Sequence, residues 1–191
     1  MDDGSITLLV ALVILVAFSA FFSASETAFS SLNQIRLKSR ADDGDASAAR
    51  VLAMAEQYDK LLSSILIGNN IVNIAAASIG TILFTKALGP ERGATVSTIV
   101  LTIVVLIFGE VTPKSLAKEM PEKVSTLVSP ILNLLMMVMT PLTWLFSQWK
   151  KLLGHFVHSS ESDGITEGEL MTMVSEAESD GELTDRESQL I

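Results

Sequence analysis

The chain has 191 residues, no cysteine, a hydrophobic fraction of 49% and a mean hydropathy of +0.46. That balance is too apolar for a soluble domain that must wet its surface, so it describes a membrane protein, and the missing cysteines exclude disulfides, thiolate metal sites and cysteine nucleophiles. The net charge of -9 is local: residues 159–191 hold ten of the 22 acidic residues and one of the 13 basic ones, leaving 12 of each elsewhere. An acidic tail of this kind disfavours nucleic acid and anionic lipid surfaces as its partners.

The first long uncharged run, residues 4–25, exceeds the about 20 apolar residues that a helix needs to cross a bilayer. It follows "MDDG", lacks a basic flank and has no clear small-residue cleavage site, so it reads as a span rather than a signal peptide. Near its end, "FFSASETAFSS" offers Ser23, Ser25 and Glu26. The next segment carries Arg36, Lys38, Arg40, Arg50 and Lys60, against only Lys86 and Arg92 in the later loop. By the positive-inside rule it is cytoplasmic and the N-terminus lies outside.

The second run, residues 61–85, contains "LIGNNIVN". Asn69 and Asn73 are one helical turn apart, so their side chains share a face. The small-residue run "IAAASIG" after them is most simply a packing face for another helix or a second copy. "TKALGPERGAT" has the turn chemistry of Gly89, Pro90 and Gly93, which predicts a helical hairpin with the third run, residues 93–109. That run ends in "GEVTPKS", where Glu110 sits at the end of an apolar stretch. A carboxylate there is costly and marks a functional site by default. Gly68 and Gly109, each just before a polar group, are positions where a helix can loosen and present a carbonyl.

The fourth run, residues 124–149, is long enough to span but is interrupted by Pro130 and Pro141. Lys114, Lys118 and Lys123 before it and Lys150 and Lys151 after it all favour the cytoplasmic side. The charge pattern therefore predicts that it does not cross, but lies as a bent hairpin or interfacial helix, with Trp144 and Trp149 at the membrane border; the alternative is an ordinary fourth span with the C-terminus outside. The expected fold is an all-α membrane protein with three transmembrane helices and cytoplasm-side juxtamembrane helices over residues 1–155. A short acidic cytoplasmic helical segment follows over residues 156–191.

Hydroxyl, amide, carboxylate and backbone carbonyl are hard oxygen donors, and His155 and His158 lie outside the spans. Such a set suits magnesium, calcium, sodium or manganese rather than zinc or copper. A proton relay would need more titratable groups. Taken singly, each residue has a plainer role: serines and asparagines bridge helices, Glu26 sits at the interface, and Glu110 pairs with Lys114 one turn later. Together they are harder to dismiss, because three separate helices bring polar oxygens near charge-free runs. Met136, Met137 and Met139 read as apolar surface. The acidic tail reads as a solvated helical face, or else as a repulsive or magnesium-sensing element.

The stretches "FFSASETAFSSLN", "LLSSILIGNNIVNIAAAS" and "FGEVTPKSLAKEMPEKV" resemble the signatures of the transmembrane domain of the CorC/CNNM (cyclin M) family of magnesium transporters. The tail "ITEGELMTMVSEAESDGELTDRESQLI" is similar to the acidic segment that precedes a CBS-domain pair in that family. The chain ends inside this segment, which reads as truncation before the CBS pair, so no nucleotide binding is expected. The resemblance implies a homodimeric, sodium-coupled magnesium exporter in the plasma membrane, with an outside N-terminus and a cytoplasmic C-terminus. One largely dehydrated ion would sit in each subunit. It implies Ser23, Asn69, Asn73, Gly109 and Glu110 as ligands, with Pro113 breaking the third helix to shape the site. Ser25, Glu26, Asn70 and Lys114 are secondary candidates. The expected function is alternating-access magnesium efflux; the alternative is a membrane anchor and signalling module with a structural cation. No nucleophile, base and orienter constellation is visible, so an enzyme is not expected.

Overall fold

The computed structural model describes residues 3–156. Most of the acidic segment, His158, and the side chains of Trp144, Trp149 and His155 lie outside the described residues. Contacts divide the chain into two compact units, Met1–Ser147 and Gln148–Ile191; the candidate site belongs to the first.

Every described element is helical. The order is α1 (Asp3–Ser30), α2 (Gln34–Asp42), α3 (Ala46–Ala55), α4 (Tyr58–Leu88), α5 (Pro90–Val104), a π-helical segment (Val105–Val111), α6 (Thr112–Glu119) and α7 (Pro121–Phe156). Helix α5, the π segment and α6 form one rod of 30 residues. In a bilayer every backbone polar group must be satisfied within the segment, which is why the apolar runs become helices. Ile6, Val13, Phe18, Ile74, Ile103 and Phe108 all point outward, as lipid-facing side chains do.

Helices α1, α4 and α5 pack around Leu12, Ala76 and Leu101. Half of the small-residue run thus packs within the chain: Ala76 is buried, and a Cβ at Gly80 would strike Leu101. The α4–α5 turn uses Gly89 at φ 84°, a left-handed conformation that glycine adopts without strain, followed by Pro90 in the first turn of α5. Gly93 lets the hairpin close. An added Cβ there would meet the Thr85 backbone and lie 2.7 Å from the Phe84 carbonyl oxygen, atoms that cannot swing aside. Gly93→Ala is therefore expected to lower stability by about 1–3 kcal/mol. Gly80→Ala, which meets the Leu101 side chain rather than backbone, should cost less. Melting of the detergent-solubilised variants ranks the two.

A second core joins Phe22 and Phe29 of α1, Leu37 of α2, Val51 and Met54 of α3, Leu61 and Ile65 of α4, and Val128, Leu132 and Met136 of α7. Charge clamps its rim. Arg40 donates to Asp45 Oδ2 at 2.6 Å and to Glu122 Oε2 at 3.0 Å, and Arg36 reaches Glu122 Oε1 at 3.4 Å. Asp45 also caps α3 by accepting from the Ser47 and Ala48 N–H groups. The Arg40 hydrogen bond, then the Ala48 N–H, hold the Asp45 carboxyl below its ordinary range, and Asp45 in turn raises Arg40. A depressed carboxyl stabilises the fold above its unfolded pKa of about 4 and ceases to do so as pH falls through the lower folded value. Asp45→Asn, which keeps a capping oxygen, should melt lower at neutral pH, with the difference shrinking in acid.

Of the two forms expected for the fourth run, a bent hairpin or an interfacial helix, the structure excludes the hairpin: the run is one continuous helix through both prolines. At Pro130 the cause is visible: the Ser129 hydroxyl donates to the Thr126 carbonyl at 3.0 Å, replacing the N–H that proline lacks. Among the described residues four helices are long and apolar enough to cross a membrane, the fourth over Pro121–Pro141. Its buried face packs on α2 and α3, the segments that carry the basic residues.

Candidate functional site

The site is built where α1, α4 and the π segment meet. On α1, Ser19 and Ser23 lie one turn apart on the same face and both are buried. On α4, Asn69 and Asn73 repeat that spacing. Ser19 Oγ donates to Asn69 Oδ1 at 3.4 Å, and Asn73 Nδ2 donates to the same oxygen at 3.5 Å. Both bonds are at the long limit and hence weak. Ser23 Oγ and Asn73 Oδ1 are buried without a hydrogen-bond partner.

The third contribution is a backbone. An α-helix passing Gly109 and Glu110 widens into a π turn over Val105–Val111, a rare form that concentrates at functional positions. Pro113 supplies a physical reason. In the α register the donor to the Gly109 carbonyl would be residue 113, and in the π register residue 113 would serve Phe108; proline has no N–H for either. The resemblance implied a break at Pro113; the helix instead continues past it as α6 to Glu119. The irregularity lies on the N-terminal side of the proline. Gly109 is buried against α1, where an added Cβ would come within 2.9 Å of Ser19 Oγ.

Glu110 and Asn73 line one open groove of about 370 Å³ between α4 and the α5 rod, along which Ala77, Thr81, Thr98, Thr102 and Leu106 are exposed. Glu110 is the one charged group in its wall. Among the described residues no three histidines or carboxylates converge. The cluster is thus mainly neutral oxygen with one carboxylate, which suits a hard cation.

The structure brings Asn69, Asn73 and Gly109 together through Ser19, joins Glu110 to Asn73 across the groove, and buries Ser23 one turn from Ser19. It does not bring Ser25, Glu26 or Asn70 to this cluster. Ser25 Oγ donates to the Phe21 carbonyl, and exposed Asn70 bonds back to the Leu66 carbonyl. Glu26 pairs with Lys114 at 3.1 Å, so Lys114 ties α6 to α1 rather than answering Glu110. Gly68 does not loosen α4; its missing side chain makes room for the Phe22 ring, which a Cβ would approach to 2.6 Å. Sequence reasoning missed Ser19. Its signal was the four-residue spacing to Ser23, the same that singled out the two asparagines.

Comparison with known proteins agrees with this architecture. Residues 10–187 match the family described as Cyclin M transmembrane N-terminal domain (CNNM). The chain is 41% identical over 165 residues to UPF0053 inner membrane protein YfjD of Escherichia coli (strain K12), covering 84% of this chain and 38% of that protein. It is 39% identical over 184 residues to a UPF0053 protein of Haemophilus influenzae, covering 95% and 43% of the two chains. A polyamine export protein of Haemophilus influenzae is 27% identical over 201 residues, covering 96% and 46%. The chain spans less than half the length of these curated relatives. With its four apolar helices and a family match over most of its length, this chain is a multi-pass membrane protein that belongs to the cyclin M (CNNM) transmembrane-domain family.

Proposed function

We propose that this chain is the membrane domain of a magnesium transporter, exporting the ion by alternating access in exchange for sodium. The observation that carries the reading is the pair of orphaned buried oxygens, Ser23 Oγ one turn from Ser19 on α1 and Asn73 Oδ1 on α4, the latter in the wall that Glu110 also lines. A buried polar atom without a partner costs about 1–3 kcal/mol. Such atoms are explained when a ligand takes their lone pairs. Ser23, Asn69 and Asn73 side-chain oxygens, the Gly109 carbonyl and Glu110 would hold the cation, with Ser19 steering Asn69. Because Pro113 has no N–H, the carbonyl it would serve, that of Gly109 in the α register or of Phe108 in the π register, lacks that donor and is available to a cation.

Selectivity follows from size. Magnesium requires near-octahedral oxygens at roughly 2.1 Å, whereas calcium takes longer bonds and more ligands. The weak Ser19–Asn69–Asn73 bonds are readily exchanged for ion contacts, and the widened turn is the element that rearranges between inward and outward states. By charge, α2 and α3 lie on the cytoplasmic side with the first turns of α7 packed on them, the N-terminus lies outside, and two copies pair in the bilayer.

A second reading comes from the relatives named polyamine export proteins. Apolar walls of Leu101, Val105 and Leu106 could accept an alkyl chain. A polyamine carries several charges, however, and this groove offers a single carboxylate. The test is the protein in liposomes with an entrapped magnesium-sensitive dye, with and without a sodium gradient, and with spermidine as competitor. Gradient-driven flux that spermidine leaves unchanged supports the magnesium reading. Spermidine uptake with no magnesium signal supports the second, and tight ion binding without flux supports an anchor with a structural cation.

A further inference from the structure

We propose that the outer half of the groove contains a second cation position, formed by neutral hydroxyls around Ser97, where the departing ion regains its water. This rests on the transport reading and extends it to a residue outside the expected ligand set.

The starting observation is chemical. Hydroxyls on the described helices commonly satisfy themselves: Thr81 donates to the Ala77 carbonyl at 2.8 Å, Thr98 to the Ala94 carbonyl at 3.0 Å and Ser78 to the Ile74 carbonyl at 2.9 Å. Ser97 does not. It is 0% exposed, its Oγ has no partner, and it lies in the wall of the same groove that Asn73 and Glu110 line. A hydroxyl that could bond back to its own helix but remains unspent, beside a groove, is placed for something that enters the groove.

Position decides what that is. Ser97 precedes Glu110 by 13 residues on a helical rod, roughly 20 Å at about 1.5 Å per residue. It lies toward the Gly89 turn, the end that charge places outside. Thr81 and Thr98, whose protons are used by carbonyls, turn lone pairs to the same space. No carboxylate lines this part, so it cannot replace the hydration shell of a divalent ion. It can hold one that keeps its water, and magnesium dehydrates reluctantly and usually retains several waters. The groove's 370 Å³ would take on the order of ten waters at about 30 Å³ each. The ion would leave Glu110 and Asn73, recover its shell along the hydroxyls and exit. Ser97, with both proton and lone pairs uncommitted, would order that shell.

Ser97→Ala tests this, because it keeps the packing and removes only the hydroxyl. Three measurements are made on the purified protein: magnesium flux into liposomes, magnesium affinity by calorimetry, and melting without magnesium. Flux is expected to fall roughly tenfold, the rate equivalent of one lost hydrogen bond. Affinity should stay unchanged, and melting should be equal or higher because a buried orphan is gone. Flux within twofold of the unsubstituted protein overturns the proposal. So does a loss of affinity as large as that of Glu110→Gln, which would place Ser97 in the inner site, or a lowered melting temperature, which would make its role structural. Absence of flux in the unsubstituted protein overturns the transport reading as well, and is distinguishable because all the variants would then be equally silent.

Discussion

Glu110→Gln is expected to abolish magnesium flux and to weaken magnesium binding roughly 100- to 1,000-fold, while leaving the helices folded. Glutamine keeps the shape and one oxygen of the side chain but removes the one charge in the groove wall. Deleting one partner of a buried ion pair costs about 3–5 kcal/mol; for half-buried Glu110 the lower part of that range, about 3–4 kcal/mol, corresponds to this loss of affinity. The sign for stability is the opposite. Without magnesium the carboxylate is a charge at membrane depth, so the glutamine form should melt no lower than the parent, and the stabilisation that magnesium gives the parent should vanish. Lys114→Gln is the control. Its partner is Glu26 at 3.1 Å, with side chains 42% and 29% exposed, so the pair is a modest one. A Lys114→Gln protein as inactive as Glu110→Gln would count against the ligand assignment, and near-normal flux in Glu110→Gln would end it.

Gly109→Ala is expected to lower flux by about two orders of magnitude with a smaller effect on folding. The added methyl would lie 2.9 Å from Ser19 Oγ and 3.2 Å from Ser19 Cβ. Ser19 can yield only by leaving Asn69, the oxygen on which Asn73 also depends. Displacing ligands by about 1 Å can cost on the order of 100-fold in function. A Ser19→Gly/Gly109→Ala double variant restores the space without restoring the hydroxyl. Recovery of part of the flux in that variant would assign the loss to steric displacement. A double variant as inactive as Gly109→Ala, where Ser19→Gly alone retains flux, would show that the glycine is needed for the π turn itself.

Much of the architecture was legible because lipid imposes a simple rule on the chain. Runs of about 20 apolar residues become helices, and the Gly89–Pro90–Gly93 turn declares a hairpin. Asn69 and Asn73 could be paired from their spacing alone, and Glu110 from the cost of its charge. The continuity of the fourth run was less legible, because proline lacks the N–H that a helix interior uses. The Ser129 hydroxyl that replaces that donor at Pro130 is a neighbour whose role depends on its rotamer. Gly68 was misjudged for a related reason: a glycine can serve backbone freedom or a neighbouring ring, and nothing local distinguishes them.

The sequence by itself determined the membrane class, the helical segments, and the oxygen chemistry of the candidate ligands. These are properties of composition, period and charge, which act through solvent and lipid and need no knowledge of which helices touch. Only the tertiary structure decided that Ser19 links α1 to Asn69, that Lys114 belongs to Glu26, and that Ser23, Asn73 and Ser97 hold unspent oxygens. It also decided that Pro113 resolves into a widened turn and not a break. Each depends on what a side chain or carbonyl meets across a helix interface, between residues up to 88 apart in the chain in the case of Lys114 and Glu26. Spacing along a helix fixes which face a group occupies, but packing alone fixes what stands opposite.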